Sequence, residues 1–305
     1  MNLKERSTLP IRLSDLSLPA GKKARLHRLL YQNGPANGTL LLLPIDQGLE
    51  HGPRDFFPNP PSADAEFQLR IAEAGGYSGI AMQIGLAEKY FADYAGRVPL
   101  VLKLNGKTEI PSDEAPISPL NAGVDDAVRL GADAVGYTLY VGSERQDEDF
   151  LQFSEVRREA ERYGMPVIVW SYPRGKAVEA KGGKDGFYAI DYASRVAQEL
   201  GADVVKLNVP KLDAEKAKLA PKPYSGLTVD QGEALRQIVQ SAGRTLVIFA
   251  GGEKGTADEV VEKAGAVMEA GATGLIFGRN IWQRPYDEAV AVSQRIRELL
   301  LRHPR

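Results

Sequence analysis

The chain contains no cysteine and only three histidines, His27, His51 and His303, among its 305 residues. Disulfides, iron–sulfur clusters, thiolate zinc sites and a cysteine nucleophile are therefore excluded. Three scattered imidazoles are too few for a His-rich metal centre. A surplus of either charge is missing too: 38 Lys and Arg stand against 40 Asp and Glu, a net −2. Affinity for a phosphate backbone is built from excess cations, so no nucleic-acid partner is expected. No apolar run approaches the roughly 20 residues of a membrane span, and the opening MNLKERSTLPIRL lacks the apolar stretch of a signal peptide. The expectation is a soluble cytoplasmic protein with no membrane partner, although the lack of cysteine by itself fits any compartment.

What the chain does have is eight short apolar runs separated by longer amphipathic segments. The runs are 39–45 (TLLLLPI), 78–84 (SGIAMQI), 99–104 (PLVLKL), 134–140 (AVGYTLY), 166–170 (PVIVW), 203–207 (DVVKL), 245–249 (TLVIF) and 273–277 (TGLIF). Strands buried on both faces of a parallel sheet read this way. Between them, the patterns at 62–74 (with Ser62 as its cap), 121–130, 148–163, 188–200 and 256–270 predict helices, each followed by glycine. The junctions LGADAV, YGMPVI, LGADVV and AGATGL repeat one device: glycine ends the helix in the left-handed region and a strand begins within a few residues. Eight strand–helix units point to an α/β fold of the (β/α)8 barrel type. The rival, a doubly wound open sheet, usually carries GxGxxG after its first strand, and 43–48 reads LPIDQG. The expected organisation is an N-terminal extension over 1–38, with a helix near 22–31 that closes the barrel bottom or meets a neighbour, and a single barrel over 39–305. The loops at 106–120 and 177–187 should overhang the catalytic face. The lysine-rich stretch 211–225 reads as a solvated insertion.

In such a barrel, chemistry gathers at the C-terminal ends of the strands. There the sequence places Asp46, Glu50 and His51, then Lys103, then Trp170, Tyr172 and Arg174, then Lys206, then Gly251, Gly252 and Lys254, and finally Gly278 and Arg279. Lys103 and Lys206 stand inside apolar strands. Burial disfavours an ammonium, and a neutral amine can attack a carbonyl to form a Schiff base. The plainer alternative is a lysine paired with a carboxylate across the barrel, with Asp46 read either as that partner or as a catalytic acid or base. Alternation puts Trp170 and Tyr172 on one face, where they either line a site or cap the core. The glycine-rich turns after the seventh and eighth runs, with Lys254 and Arg279 nearby, suit a phosphate, although tight turns with solvated charges would look the same.

These residues, as 46–53 (DQGLEHGP), 102–107 (LKLNGK), 170–175 (WSYPRG), Val205-Lys206, 250–252 (AGG) with Lys254, and 278–283 (GRNIWQ), resemble the archaeal-type class I fructose-1,6-bisphosphate aldolases from about Leu40 to Pro285. The resemblance implies that Lys206 forms the Schiff base, that Tyr172 transfers protons and that Asp46 assists near the iminium. Trp170 would line the channel, and Gly251, Gly252, Gly278 and Arg279 would hold the phosphate of the dihydroxyacetone half. His51 and Arg174 would contact the second phosphate. With Lys206 as the nucleophile, the residues themselves leave Lys103 to hold an anion or to orient it. The resemblance further implies a glycolytic or gluconeogenic reaction without metal or other cofactor, on a phosphorylated sugar, in a homo-oligomer such as a decamer. Glu253, beside the glycines, departs from the pattern and opposes anion binding there unless it points away, which bears on Lys254. Related readings on the same lysine are a transaldolase-like enzyme, or a synthase or thiolase acting on another phosphorylated ketone. A non-enzymatic sugar-phosphate-binding barrel would keep the glycine loops but has no need of Lys206 or Tyr172.

Overall fold

The computed structural model describes residues 10–252 and 254–305; Glu253 and the first nine residues of the expected extension lie outside that range. Eight parallel strands, β1 (Leu40–Pro44), β2 (Gly79–Gln83), β3 (Leu100–Lys103), β4 (Ala134–Val141), β5 (Val167–Pro173), β6 (Val204–Leu207), β7 (Leu246–Ala250) and β8 (Gly274–Ile276), close into a barrel in sequence order. Closure is made by β1 pairing with β8, Leu41 opposite Leu275, which rules out the open sheet. The strands fall on the predicted runs, and β5 continues three residues past its run, to Pro173.

Alternation divides each strand between two cores. Leu41, Leu43, Val135, Val205 and Phe249 face outward under the helices. Leu40, Leu42, Val101, Ile168, Val204 and Ile248 fill the interior. The helices that cover the outside include α3 (Ala65–Ala74), α5 (Val124–Arg129), α6 (Gln146–Tyr163), α8 (Phe187–Leu200), α10 (Gln231–Ser241), α11 (Ala257–Glu269) and α13 (Tyr286–Leu301), with shorter α2 (Gln47–His51), α4 (Ile84–Tyr90), α7 (Lys176–Glu179), α9 (Ala214–Ala217) and α12 (Arg279–Trp282) in the connections and α1 (Ala20–His27) before β1. Gly164, Gly201 and Gly271 follow α6, α8 and α11 with φ of 58°, 93° and 97°, so the recurring junction is a left-handed stop. Two local readings change. Asp64, whose side chain accepts from the Glu66 amide, caps α3, because residues 60–63 form a separate 3-10 turn that buries Ser62. The stretch 211–225 is only partly solvated: Tyr224 donates to Asp191 at 2.6 Å and packs edge-on against Phe187 and Tyr188.

The N-terminal ends of the strands are sealed by α1 and a π-helical turn at Arg28–Gln32. Leu26, Leu29 and Leu30 join the interior core. Two ion pairs fix the seal to strand starts. Lys22, buried, lies 2.9 Å from Asp203 and 3.0 Å from Glu161, and Arg28 donates to Asp133 at 2.6 Å. Asp203 also accepts the Val167 amide at 2.8 Å, tying β5 to β6. Removing one member of a buried pair strands the other without solvent. Lys22→Ala is therefore expected to cost about 3 kcal/mol, read as a lower urea midpoint. A midpoint within error of wild type would mean that the pair does not hold the seal.

Candidate active site

The opposite end of the barrel is open. A cavity of about 630 Å3 is lined by Asp46, Glu50, His51, Trp170, Tyr172, Arg174, Lys206, Gly251, Gly252, Gly278 and Arg279, together with Lys184, Asp185, Asn208 and Lys211. That is a size suited to a small metabolite. Lys206 stands on the inner face of β6, opposite Trp170 on β5 and Ile248 on β7. Tyr172, two residues beyond Trp170, shares that inner face. The Lys206 amine and the Tyr172 hydroxyl are hydrogen-bonded to each other, and the amine sits 4.2 Å from the phenol ring centroid.

Burial is the largest influence on Lys206. It pushes the amine pKa down to about 7 against the opposing charges of Asp46 and Glu50, with Lys103 and Arg174 adding to the fall. Tyr172 moves the other way: burial, then the nearby charges of Glu50 and Asp46, hold the phenol well above its ordinary value. Near neutrality the pair is thus an amine that is about half free of its extra proton and a phenol that keeps its own.

Lys103, the other strand lysine, is fully buried and does not line the cavity. Its amine donates to Asp46 at 3.1 Å and to Thr138 at 2.8 Å, and lies 4.6 Å from the Trp170 ring centroid. The expected contact of Lys103 with substrate is corrected to a supporting place behind Asp46. Gly136 makes room for it: a Cβ there would come within 2.6 Å of the Lys103 side chain and 2.8 Å of Trp170.

The glycine turns sit as the sequence suggests. A Cβ on Gly251 would meet the Phe277 ring at 2.9 Å, and one on Gly278 would meet the Pro44 carbonyl at 3.0 Å, so the close approach of these loops favours glycine. Arg279 lines the cavity with its guanidinium 3.9 Å from Asp55. Lys254 does not line the cavity. Its amine donates to the Gln283 carbonyl at 3.1 Å, which removes it from the expected anion site. His51 lines the wall, with Nδ1 3.1 Å from Glu109.

Two features escaped the sequence reading, and Glu50, which the sequence placed at the end of the first strand, was given no role. Glu50, on α2, turns into the cavity; burial lifts its carboxyl above the usual carboxylate range although Lys103, 3.9 Å away, opposes the shift. One of its oxygens is buried with no hydrogen-bond partner. Lys184 and Asp185, from the glycine- and lysine-rich loop after β5, and Lys211, after β6, form the far wall. The composition of the first loop, and for Lys211 the lysine-rich stretch read as solvated, were the only signals for them. Among the described residues, no three His, Cys, Asp or Glu side chains converge as a metal site.

Comparison with known proteins identifies the family. Residues 40–284 match the model of the DeoC/LacD family of aldolases. The class 1 fructose-bisphosphate aldolase of Thermoproteus tenax is 42% identical over 248 residues, 81% of this chain and 84% of that protein. The Methanocaldococcus jannaschii protein named fructose-bisphosphate aldolase/6-deoxy-5-ketofructose 1-phosphate synthase is 34% identical over 92% of this chain and 87% of its own. A solved archaeal fructose-1,6-bisphosphate aldolase, with its catalytic lysine covalently bound to the carbinolamine intermediate of its substrate, superposes with a TM-score of 0.76 at 37% identity, covering 90% of this chain and 99% of that one.

The lowered amine pKa has a direct readout. Reactivity of Lys206 toward a small acylating reagent, followed by peptide mass spectrometry, should rise as pH passes about 7 and level off above it, whereas exposed lysines gain reactivity only toward the ordinary 10.5. A midpoint shared with the exposed lysines would contradict the desolvated setting.

Proposed function

The chain belongs to the DeoC/LacD family of aldolases, and we propose that it is a class I fructose-bisphosphate aldolase that cleaves fructose 1,6-bisphosphate reversibly into dihydroxyacetone phosphate and glyceraldehyde 3-phosphate through a Schiff base on Lys206. The observation that carries this reading is the buried Lys206 amine, depressed to about 7 and hydrogen-bonded to a protonated Tyr172, inside a cavity bounded by the glycine turns.

The chemistry follows from those two protonation states. The neutral amine adds to the C2 carbonyl and gives a carbinolamine. Tyr172 donates its proton to the departing hydroxyl, which leaves as water, so an iminium and a phenolate appear together, each stabilising the other. The phenolate takes the C4 hydroxyl proton. The C3–C4 electron pair flows into the iminium, the aldehyde departs and an enamine remains. Tyr172, protonated again, delivers that proton to C3, and water returns to the iminium to free the ketone. Asp46 and Glu50, which favour positive charge on Lys206 in the free site, favour it equally in the iminium. Trp170 walls the channel beside Lys206. Gly251, Gly252, Gly278 and Arg279 hold the phosphate of the ketone half, and His51 and Arg174 stand toward the aldehyde half.

This assignment uses no metal and no other cofactor. A synthase acting on another phosphorylated ketone, the second activity in the name of the M. jannaschii relative, would employ the same lysine and is separated by comparing substrates. A glycolytic or gluconeogenic role in the cytoplasm and assembly as a homo-oligomer complete the proposal. A monomer in sedimentation equilibrium would remove the last element.

Incubation with dihydroxyacetone phosphate and borohydride should leave a reduced adduct on Lys206, located by mass spectrometry, and EDTA should not prevent it. An adduct on Lys103, or on no lysine, would sink the assignment. Tyr172→Phe should lower kcat by on the order of 10² to 10⁴ with little change in KM, and turnover near wild type would remove Tyr172 from the proton path.

A further inference from the structure

The loop at 106–120 is rooted at its base by the bridge between Asn105 and Leu120. It is tied along its length by the Ser143 hydroxyl donating to the Pro116 carbonyl at 2.7 Å and by the Glu109 amide donating to the Glu50 carbonyl at 3.0 Å. It carries Asp113 to a place where Lys107, at the loop's own start, and Arg174, from another element, converge. Lys107, just beyond β3, lies 2.8 Å from one carboxylate oxygen. Arg174, at the exit of β5, lies 3.5 Å from the other. Arg174 also lines the cavity that holds Lys206, as does Lys184.

The two paired cations are the recessed members of this cluster, with side chains 15% and 16% exposed, while the carboxylate is 44% exposed. Of the three, Arg174 lines the cavity, as do the β7 and β8 glycine turns, and Lys107 follows β3, opposite β7 in the ring of strands, so an open-chain ligand with an anion at each end would set one on the glycines and the other at Arg174. Burial of the Asp113 carboxyl raises its pKa, but the Lys107 hydrogen bond and the charges of Lys107, Arg174 and Lys184 outweigh it and leave the group below its usual range, ionised at neutral pH. A single negative charge then faces several positive ones, and a phosphate, with more charge and more acceptor oxygens, matches them better.

We propose that Asp113 is a built-in stand-in for the substrate's second phosphate: its carboxylate holds Lys107 and Arg174 in the free enzyme and is displaced when the phosphate of the aldehyde half arrives, which makes Asp113 a determinant of substrate specificity. The inference rests on the reading of the protein as a fructose-bisphosphate aldolase. Ligands without the second phosphate leave Asp113 where it is. Ligands with it compete against the carboxylate, so part of their binding is offset by breaking those pairs.

The test is Asp113→Asn in the full-length chain, an isosteric change on an exposed loop. For fructose 1,6-bisphosphate, KM should fall and kcat/KM should rise by on the order of threefold to tenfold, the scale of partly exposed ion pairs, with kcat little altered. For fructose 1-phosphate, kcat/KM should change far less, so the ratio of the two rises. An unchanged ratio, or a fall in kcat/KM for the bisphosphate, would overturn the proposal; a fall would make Asp113 a positioning residue for Arg174. Calorimetric titration with inorganic phosphate reads the same point without turnover, with tighter binding to Asp113→Asn expected and equal affinity counting against it. Wild-type protein that cleaves neither sugar but binds phosphate more tightly after Asp113→Asn would reject the aldolase reading and leave the anion subsite standing.

Discussion

An amine kept out of water at the end of a barrel strand is the constraint on which the rest of the site depends. Lys206 is needed neutral, and a lysine in solution is not. Burial supplies the shift, yet burial beside two carboxylates would cancel it if those carboxylates were free to pair with Lys206. Asp46 is engaged elsewhere, and burial lifts the Glu50 carboxyl above its usual range, which weakens its pull. Asp46 accepts from Lys103, which is completed by Thr138 and lies against Trp170. Glu50 lies 3.9 Å from the same amine. Two lysines in similar strands thus take opposite parts because one holds the nearby negative charge and the other is left with a phenol.

That arrangement asks for rigidity below and access above, and the fold separates the two. The bottom is closed by α1 and the π-helical turn after it, whose leucines fill the interior and whose Lys22 and Arg28 grip the starts of β6 and β4 through Asp203 and Asp133. The top is left to loops. Residues that serve stability and residues that serve chemistry occupy opposite ends of the same strands, so a loop can vary at the mouth without disturbing the register beneath Lys206. Gly136 shows how tightly the inner layer is filled, since one methyl group there would collide with both Lys103 and Trp170.

The balanced total charge hides strong local asymmetry. Arg174, Lys184, Lys211 and Arg279 ring the mouth, while Asp46 and Glu50 lie deeper, near the amine. A phosphorylated ketose would meet cations at its ends and carboxylates near its reacting centre, where positive charge develops on nitrogen. The same division accounts for Lys254: engaged with the Gln283 carbonyl, it serves the loop rather than the ligand.

Much of this was legible in order along the chain. Eight apolar runs with glycine stops determined the barrel, because strand periodicity and left-handed helix ends are local properties. Alternation put Trp170 and Tyr172 on one face, and the closed barrel showed that face to be the inner one, shared with Lys206. The aldolase chemistry entered through the motifs at the strand ends, which resemble a known family. The error at Ser62 was also local: a short 3-10 turn moved the cap to Asp64. What only the tertiary structure decided was which charge meets which. Lys103 and Asp46 are 57 residues apart in sequence and 3.1 Å apart in space, and Arg174 reaches Asp113 from a different loop. Protonation states depend on such distances and on the exclusion of water, and neither exists until the barrel has closed.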